Sequence, residues 1–442
     1  MNGLNKNDII TALATPFGKS AVAIIRVSGS GCTRLLSEFL EKPLKVGQLC
    51  VNTFKSGSFT ENLMAVAYKA PKSYTGEDLV ELFPHGNPLI CDIIIKTLLK
   101  NGVRLAERGE FTKRAFLNGK LDLMQCEALA DIIDAQTAEQ LDYGNKRYLG
   151  EFKALAKVQQ LLKDSLSSIE AVLHYSDEME QNEIDGAEMN AIGAAVDSAA
   201  KLLEKEIAGF AGGKIINDGF KVALIGAPNV GKSTLLNALT DSDRAIVTPI
   251  AGTTRDTIDG NYVYCGRKFT VTDTAGLNTD TADYVEKIGI DRAYKAAKDA
   301  DAVVFVTDGS EINIDKTEFE RFITVKNKCD DQNDVGTEYG KAGKEYLRIS
   351  AKNKINITAL KQMLFDMCPK DFGSLCNHRQ YECVTRCLDS LNAAKREASK
   401  AEGLEIVAAL LYEAYSAISE LYGESADESI ISAVFERFCV GK

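Results

Sequence analysis

The spacing of apolar residues changes character along the chain and divides it into four stretches. In the first, Ser20-Ala21-Val22-Ala23-Ile24-Ile25-Arg26-Val27 is an almost unbroken apolar run that predicts a strand ending in a charge. Helix-like runs follow at Thr33 to Leu40 and at Pro88 to Leu99, the second opened by a proline whose missing N–H costs nothing in a first turn. From Leu121 the period lengthens to three or four. Phe152, Leu155, Val158, Leu162, Leu166, Ile169 and Leu173 form one stripe; Met189, Ile192, Val196, Ala199, Leu203 and Ile207 form another. The acidic interruption from Ser176 to Asp185 predicts the connection between two antiparallel helices, and Ala211-Gly212-Gly213 predicts a break leading into a linker.

Strand and helix patterns then alternate from about 216 to 371, as in a nucleotide-binding α/β domain. After Asn377-His378-Arg379 the helical period returns in two stripes. Tyr381, Val384, Leu388 and Leu391 make the first; Val407, Leu410, Leu411, Ala414, Ile418 and Leu421 make the second. Helical segments on both sides of the α/β stretch share one character, and either alone would have few helices to build a core. The expected organisation is an α/β unit (1–120), a helical domain in two parts (121–215 and 372–442), and an α/β domain (216–371) inserted between them.

Composition narrows the class. A chain of 442 residues suits about three domains. No run of 18 apolar residues predicts a membrane span, and Asp8 with no long apolar segment around it argues against a signal peptide. Eleven scattered Cys without a C-x-x-C pair, and three His, point to reduced thiols in a cytoplasm and away from a zinc site. A net charge of −11 argues against wholesale coating of nucleic acid, but it is unevenly spread. Residues 1–120 carry 16 Lys and Arg against 10 Asp and Glu, a balance of +6, which leaves −17 for the remainder. The acidic part reads as solvated helix surface; the basic part is open to an anionic ligand or RNA.

The chemistry centres on Gly226-Ala227-Pro228-Asn229-Val230-Gly231-Lys232-Ser233, which follows the apolar run Val222 to Ile225 and precedes the helix-like run Thr234 to Leu239. Strand, glycine-rich loop and helix make a phosphate cradle: backbone N–H groups and a helix N-terminus face the anion. Lys232 would reach the β- and γ-phosphates, and Ser233 would ligate Mg²⁺. Four further stations follow. Gly252-Thr253-Thr254-Arg255-Asp256 lies where a switch loop should close over the γ-phosphate, and a Thr there can offer Mg²⁺ its hydroxyl oxygen. Asp273-Thr274-Ala275-Gly276 ends a strand with an acid for Mg²⁺ and an N–H for the γ-phosphate. Asn327-Lys328-Cys329-Asp330 reads the base, because the Asp330 carboxylate accepts from the two N–H groups on the guanine edge, which adenine lacks. Ser350-Ala351-Lys352 completes the base pocket. Each motif alone has a reading as turn or cap chemistry; five in order point to GTP.

Leu277 stands where Ras-type enzymes carry the glutamine that orients the attacking water. Arg255 qualifies as an arginine finger by proximity alone. Asn229 and the carbonyls of the 248–251 loop could together hold a monovalent cation that does the same electrostatic work.

With these motifs, the ending Phe438-Cys439-Val440-Gly441-Lys442 resembles the MnmE (TrmE) family of tRNA-modification GTPases. Further points of resemblance are Ala14-Thr15-Pro16, Arg26-Val27-Ser28-Gly29, Tyr74-Thr75-Gly76-Glu77-Asp78 and the stretch from Arg114 to Asp122, so it spans essentially the whole chain. The resemblance implies an N-terminal α/β domain that dimerises and binds 5-formyltetrahydrofolate, a discontinuous helical domain, and an inserted Ras-like P-loop G domain. It implies K⁺-stimulated, Mg²⁺-dependent GTP hydrolysis that accompanies addition of an aminomethyl or carboxymethylaminomethyl group at C5 of the tRNA wobble uridine. The partner it implies is the FAD-containing MnmG (GidA) subunit.

By the same resemblance Arg26, Glu81, Lys120 and Lys442 match folate-site positions, which replaces the plainer reading of Arg26 as a locally paired charge at a strand end. Asn229, Thr248, Ile250 and Thr253 match K⁺ ligands, Ser233 and Thr254 match Mg²⁺ ligands, and Glu286 matches the acid that orients the hydrolytic water indirectly. Cys439 matches a family thiol that is a candidate for the modification chemistry. Phe83, Asn87 and Asn278 depart from the family pattern, and the segment between Asp308 and Asn327 is short. Two rival readings are a ribosome-assembly GTPase, disfavoured by the acidic helical domain, and a folate-binding scaffold with a slow G-domain switch.

Overall fold

The computed structural model describes residues 8–175, 186–240, 258–273, 296–309, 318–330, 337–339, 345–398 and 404–442. The first layer runs β1 (Ile10–Leu13), β2 (Ile25–Ser28), α1 (Cys32–Leu36), β3 (Cys50–Ser56), β4 (Phe59–Tyr68), β5 (Leu79–Phe83), α2 (Pro88–Lys100), β6 (Arg104–Leu105) and α3 (Glu110–Leu117). Its six strands form one sheet in the order β3-β4-β5-β2-β1-β6, antiparallel except for the parallel β1–β6 pair. Ile25, Val27, Leu82, Ile94 and Leu98 are fully buried between the sheet and α2. Pro88 opens α2 as the sequence predicts, and Asn87 is its N-cap, accepting 2.9 Å from the Leu89 N–H.

The strand expected from Ser20 begins only at Ile25. Upstream, Ser20 bridges Gly86, and the Ala23 N–H reaches the carbonyl of Pro84. A proline has no N–H to return, so the ladder stops beside it. The helix expected to reach Leu40 ends at Leu36, because Leu40 bridges Phe54 of β3 instead.

An ion cluster built on the buried Arg114 and Glu110 closes one edge of this sheet. Arg114 Nη2 meets Asp8 Oδ1 at 2.6 Å and Glu110 Oε1 at 3.0 Å, while its Nη1 meets Glu77 Oε2 at 3.0 Å. Arg104 adds contacts to Asp8 and Glu110. Burial raises the Glu110 carboxyl, but Arg104, the Glu107 N–H and Arg114 outweigh it and hold the group below the ordinary carboxylate range; Asp8 is lowered in the same balance by Arg104 and Arg114. A carboxyl depressed in the folded state stabilises above its unfolded pKa, near 4, and that contribution is lost as pH falls through the folded value. The thermal midpoint of the native chain should therefore fall on acidification below about pH 4.5, and less steeply in Glu110→Gln. Parallel slopes in the two proteins, measured by circular dichroism, would exclude this cluster as the source.

The helices are α4 (Leu123–Asp134), α5 (Ala138–Tyr148), α6 (Ala154–Tyr175) and α7 (Gly186–Asp218). Both α4 and α5 start on complete capping boxes, Asp122 with Gln125 and Thr137 with Gln140. The expected connection from Ser176 to Asp185 lies outside the described residues.

The linker expected at Ala211-Gly212-Gly213 is absent, since α7 runs through it to Asp218. Those glycines serve close approach. A Cβ on Gly212 would lie 2.2 Å from the Asp371 carbonyl oxygen, and one on Gly213 would lie 2.1 Å from that of Leu375. Gly209 presses on Gly373 in the same way. The chain returning from the α/β domain thus lies directly on α7, and only glycine leaves room for it.

From α7 the chain enters β7 (Phe220–Ile225), α8 (Lys232–Thr240), β8 (Ile258–Tyr264), β9 (Arg267–Asp273), β10 (Ala302–Thr307), β11 (Phe322–Lys326), β12 (Thr337–Tyr339), β13 (Glu345–Arg348) and α9 (Ile357–Asp366). The strands form a second sheet, β12-β13-β11-β10-β7-β9-β8, parallel in its centre with antiparallel pairs at both edges. Beyond it lie α10 (His378–Ala398), α11 (Leu404–Tyr422) and α12 (Glu428–Glu436). One hydrophobic core unites Leu155, Val158 and Leu162 of α6, Ala199 and Leu203 of α7, Val384 and Leu391 of α10, and Leu411 and Ile418 of α11. The helical domain is therefore discontinuous in sequence, with the P-loop α/β domain inserted into it. Among the described residues no helix is long and apolar enough to cross a membrane.

Candidate functional site

At the parallel centre of the second sheet, β7 runs into the glycine loop and out along α8. Gly226 adopts φ +149°, and a Cβ there would sit 2.1 Å from the Val306 carbonyl oxygen, so the loop can lie against β10 only with glycine at this point. Asn229 also holds a positive φ, +63°, at the exposed rim of the loop. Val230 is buried below it.

Lys232 is buried, and its Nζ donates at 2.7 Å to the carbonyls of both Gly226 and Ala227. Burial lowers its pKa and the Asp273 carboxylate works against that shift, so the net direction is down. Ser233 Oγ donates to Asp273 Oδ2 at 2.6 Å, joining the start of α8 to the end of β9. A hydroxyl and a carboxylate side by side are the hard oxygen donors that suit Mg²⁺.

The base-reading segments come together on the other side of the loop. Asn327 is buried and bridges two loops: its Nδ2 donates to the Val230 carbonyl at 2.8 Å, and its Oδ1 accepts the Ala351 N–H at 3.0 Å. Ser350 Oγ, also buried, donates to Asp330 Oδ1 at 2.6 Å and orients that exposed carboxylate. Lys328 adopts φ +66° and pairs with Asp308, and Lys352 is exposed. The structural part of Asn327, stapling the phosphate loop to the base loop, is not visible in the motif alone. Thr248, Pro249, Ile250, Ala251, Gly252, Thr253 and Thr254 lie outside the described residues, as do Arg255, Thr274, Ala275, Gly276, Leu277, Asn278 and Glu286.

A second group assembles in the first layer, where early strands meet the last residues of the chain. Arg26 Nε donates to Glu81 Oε1 at 2.9 Å across the β2–β5 pair, and its Nη1 reaches the Gly441 carbonyl at 3.3 Å. The Tyr74 ring lies 5.4 Å from the Arg26 guanidinium carbon. Gly441, at φ +100°, packs so tightly on Leu13 that a Cβ would fall 2.3 Å from its carbonyl oxygen. The Phe111 N–H donates to the Lys442 carbonyl, and Arg108 Nε to that of Phe438. The exposed Cys439 accepts from the Gly109 N–H through its own carbonyl.

A cavity of about 390 Å³ beside Arg26 is lined by Tyr68, Lys72, Ser73, Tyr74, Glu81 and Lys120 among others. Lys120 Nζ donates to the Pro71 carbonyl at 3.2 Å. The stretches from Tyr74 to Asp78 and from Arg114 to Asp122 interlock: Asn118 Nδ2 donates to the Thr75 carbonyl, Arg114 pairs with Glu77, and Gly76 sits against Lys120. Tyr68, Lys72 and Tyr74 line the cavity without having been assigned from sequence; the Tyr74-Thr75-Gly76 signature was the available signal.

Known proteins match these features. The model described as the GTP-binding protein TrmE N-terminus matches residues 9–120, and that of the MnmE helical domain matches residues 123–439. The tRNA modification GTPase MnmE of Thermotoga petrophila is 34% identical over 456 residues, covering 98% of this chain and all (100%) of that relative. The protein of the same name from Finegoldia magna is 31% identical, covering 99% and 100%. Among solved structures, the FeoB G domain from Methanococcus jannaschii aligns with 34% of this chain and 97% of that one at 28% identity, with a TM-score of 0.25, too loose a likeness to bear on the fold. A phosphate loop stapled to a base loop, a last segment seated on the first sheet and full-length relatives agree: the chain belongs to the MnmE (TrmE) family of tRNA modification GTPases.

Proposed function

We propose that this chain hydrolyses GTP as part of the complex that modifies C5 of the tRNA wobble uridine. The observation that carries the reading is the pairing of two sites in one chain: a guanine-type P-loop site, and a tail of residues 438–442 docked beside Arg26 and Glu81. A ribosome-assembly GTPase has no use for the second. Nucleoside analysis of tRNA from cells lacking the gene tests the reading. The C5-modified wobble uridine should disappear; normal levels would exclude the assignment.

In the G domain, Lys232 would exchange the Gly226 and Ala227 carbonyls for phosphate oxygens, a move within the reach of its side chain. Ser233, with Asp273 behind it, would hold Mg²⁺, which supplies neutralisation of phosphate charge; Thr254 is the second residue assigned to that ion. The other assigned contacts are the backbone of Asn229, Val230, Gly231 and Thr234 to phosphate, and the segments 248–254 and 274–276 closing over it. Asn229 with Thr248, Ile250 and Thr253 would hold K⁺, which adds positive charge where the bridging oxygen becomes negative. Exposure of Asn229 at the loop rim supports that position. Glu286 would orient the water indirectly, since Leu277 cannot. GTP turnover should rise at least about tenfold when K⁺ replaces Na⁺, a small part of the effect of an arginine finger. Equal rates in the two salts would remove the K⁺ assignment.

In the first domain, the cavity falls in the size range of small-molecule sites. Tyrosine rings suit a pteridine face, Glu81 suits its amino and ring N–H donors, and Lys72 and Lys120 suit the anionic glutamyl end. Arg26, Glu81, Lys120 and Lys442 are the residues assigned to 5-formyltetrahydrofolate, the one-carbon donor, with Cys439 nearby. The homodimer is assigned to this domain. Its edge strand exposes Val51 opposite Met64, with Val46 and Leu49 beside them, an apolar patch that a second copy would cover. MnmG, an FAD-containing subunit, is the proposed partner in the cytoplasm.

A further inference from the structure

We propose that Asp131 is a positioning residue that couples the attachment of the G domain to the seating of the 437–442 tail; this rests on the reading of that tail as part of the folate site. Asp131 lies on α4, buried between two arginines from different elements. Its Oδ2 is 2.6 Å from Arg147 Nη1, and its Oδ1 is 2.7 Å from Arg437 Nη2.

Each arginine reports on one site. Arg147 belongs to α5, which bonds β9 of the G domain and both segments that join that domain to the helices. Glu139 in its first turn takes two bonds from Arg267, the first residue of β9, whose last residue is Asp273 beside Ser233. Gln140 donates at 2.8 Å to the Asn217 carbonyl, just before the chain enters β7. Tyr143 Oη donates at 2.9 Å to the Gly373 carbonyl, on the segment by which the chain leaves. Arg437, in turn, immediately precedes Phe438, which is buried against Phe435, and the residues that dock on Arg108, Phe111 and Leu13. A displacement of β9 on nucleotide binding is therefore carried into α5 through Arg267, and from α5 to the tail through the Arg147–Asp131–Arg437 bridge.

The bridge is also incompletely satisfied. Arg147 Nε and Nη2 are buried and have no hydrogen-bond partner among the described residues; the Tyr143 ring lies 5.6 Å from its guanidinium carbon, and the buried Cys376 thiol donates at 3.8 Å to the same Asp131 oxygen, Oδ2. Buried donors without partners cost free energy, and a purely static ion pair gains nothing by leaving two of them. A pair that re-forms when α5 shifts against α4 has a use for them, which is the two-arrangement element that coupling between distant sites requires.

The test is hydrogen exchange of the full chain with Mg²⁺, with and without a non-hydrolysable GTP analogue, read by mass spectrometry on peptides covering 108–112 and 437–442. In the native chain the analogue should change exchange of both by roughly fivefold or more, the low end of typical coupling between sites. In Asp131→Asn the analogue should bind within about twofold of native affinity while the tail response vanishes. Glu139→Gln should abolish the same response from the other end. A merely structural Asp131 would raise exchange equally in both states and leave the response intact. That result, or a native tail indifferent to the analogue, overturns the proposal. If Asp131→Asn does not fold, the pair Asp131→Asn with Arg437→Gln is read by the same criteria. Calorimetric titration of the native chain with 5-formyltetrahydrofolate judges the folate reading separately: no binding with the exchange response intact sinks that reading and leaves the coupling standing.

Discussion

Asp330→Asn is expected to cut GTP affinity by about two to three orders of magnitude and to make xanthosine triphosphate the better ligand. Guanine presents two N–H donors to this position, and a carboxylate accepts both. Hydrogen bonds to charged groups contribute about 1.5–3 kcal/mol each, so stripping the charge from one and turning the other into a donor–donor clash removes about 3–4 kcal/mol, or roughly 10²–10³-fold. The carboxylate is already aimed, because the buried Ser350 hydroxyl donates to its Oδ1 at 2.6 Å. An asparagine amide keeps that acceptor and places an NH₂ where the other oxygen was. Xanthine has a carbonyl where guanine has its amino group, so the amide finds a partner there. Titration with fluorescent GTP and xanthosine nucleotides reads both arms. A variant that keeps GTP affinity within about tenfold of native would mean that Asp330 does not read the base edge.

The same site shows what a sequence carries and what it does not. The strand–loop–helix order around Gly226 to Ser233 was legible because local spacing sets it: an apolar run, glycines, then a helix. Contacts between separate loops were not. Nothing near Asn327 says that its amide reaches back to the Val230 carbonyl while accepting from Ala351, since both partners are set by how β11 and β13 lie in the sheet. Glycines at 212 and 213 were misread for the opposite reason. Their local signal, a helix break, was overridden by a tertiary one, the close passage of Asp371 and Leu375 over α7. The stripes at Val158, Leu162, Val384 and Leu391 did announce helices with one core, because amphipathic period is a property of the element itself. Arg26 looked like an ordinary strand-end charge from its neighbours. Its bond to Gly441, over four hundred positions away, exists only once the tail is seated.

Lys232→Ala should abolish measurable turnover and weaken GTP binding by about 10²-fold or more, since it removes charge-assisted bonds to phosphate oxygens of roughly twice the ordinary strength. Lys232→Arg should not rescue it. The ammonium is a compact point charge that meets the Gly226 and Ala227 carbonyls at 2.7 Å inside a loop already touching Val306, and a planar guanidinium needs a wider mouth. The pH dependence separates the charge from the shape. Burial sets the Lys232 pKa below the usual lysine range in the nucleotide-free chain, and bound phosphates would raise it again. A ligand that prefers the protonated form loses affinity as pH rises through the lowered free-state value, so native affinity for GTP should begin to fall below the pH at which an ordinary lysine titrates, near 10. GTP itself titrates in this region, and the control is Lys232→Ala, whose residual affinity should follow the ligand alone. If the native chain and Lys232→Ala lose affinity with the same pH profile, the ammonium is not the group that meets the phosphates, and the contacts of Lys232 to the loop carbonyls are its whole role.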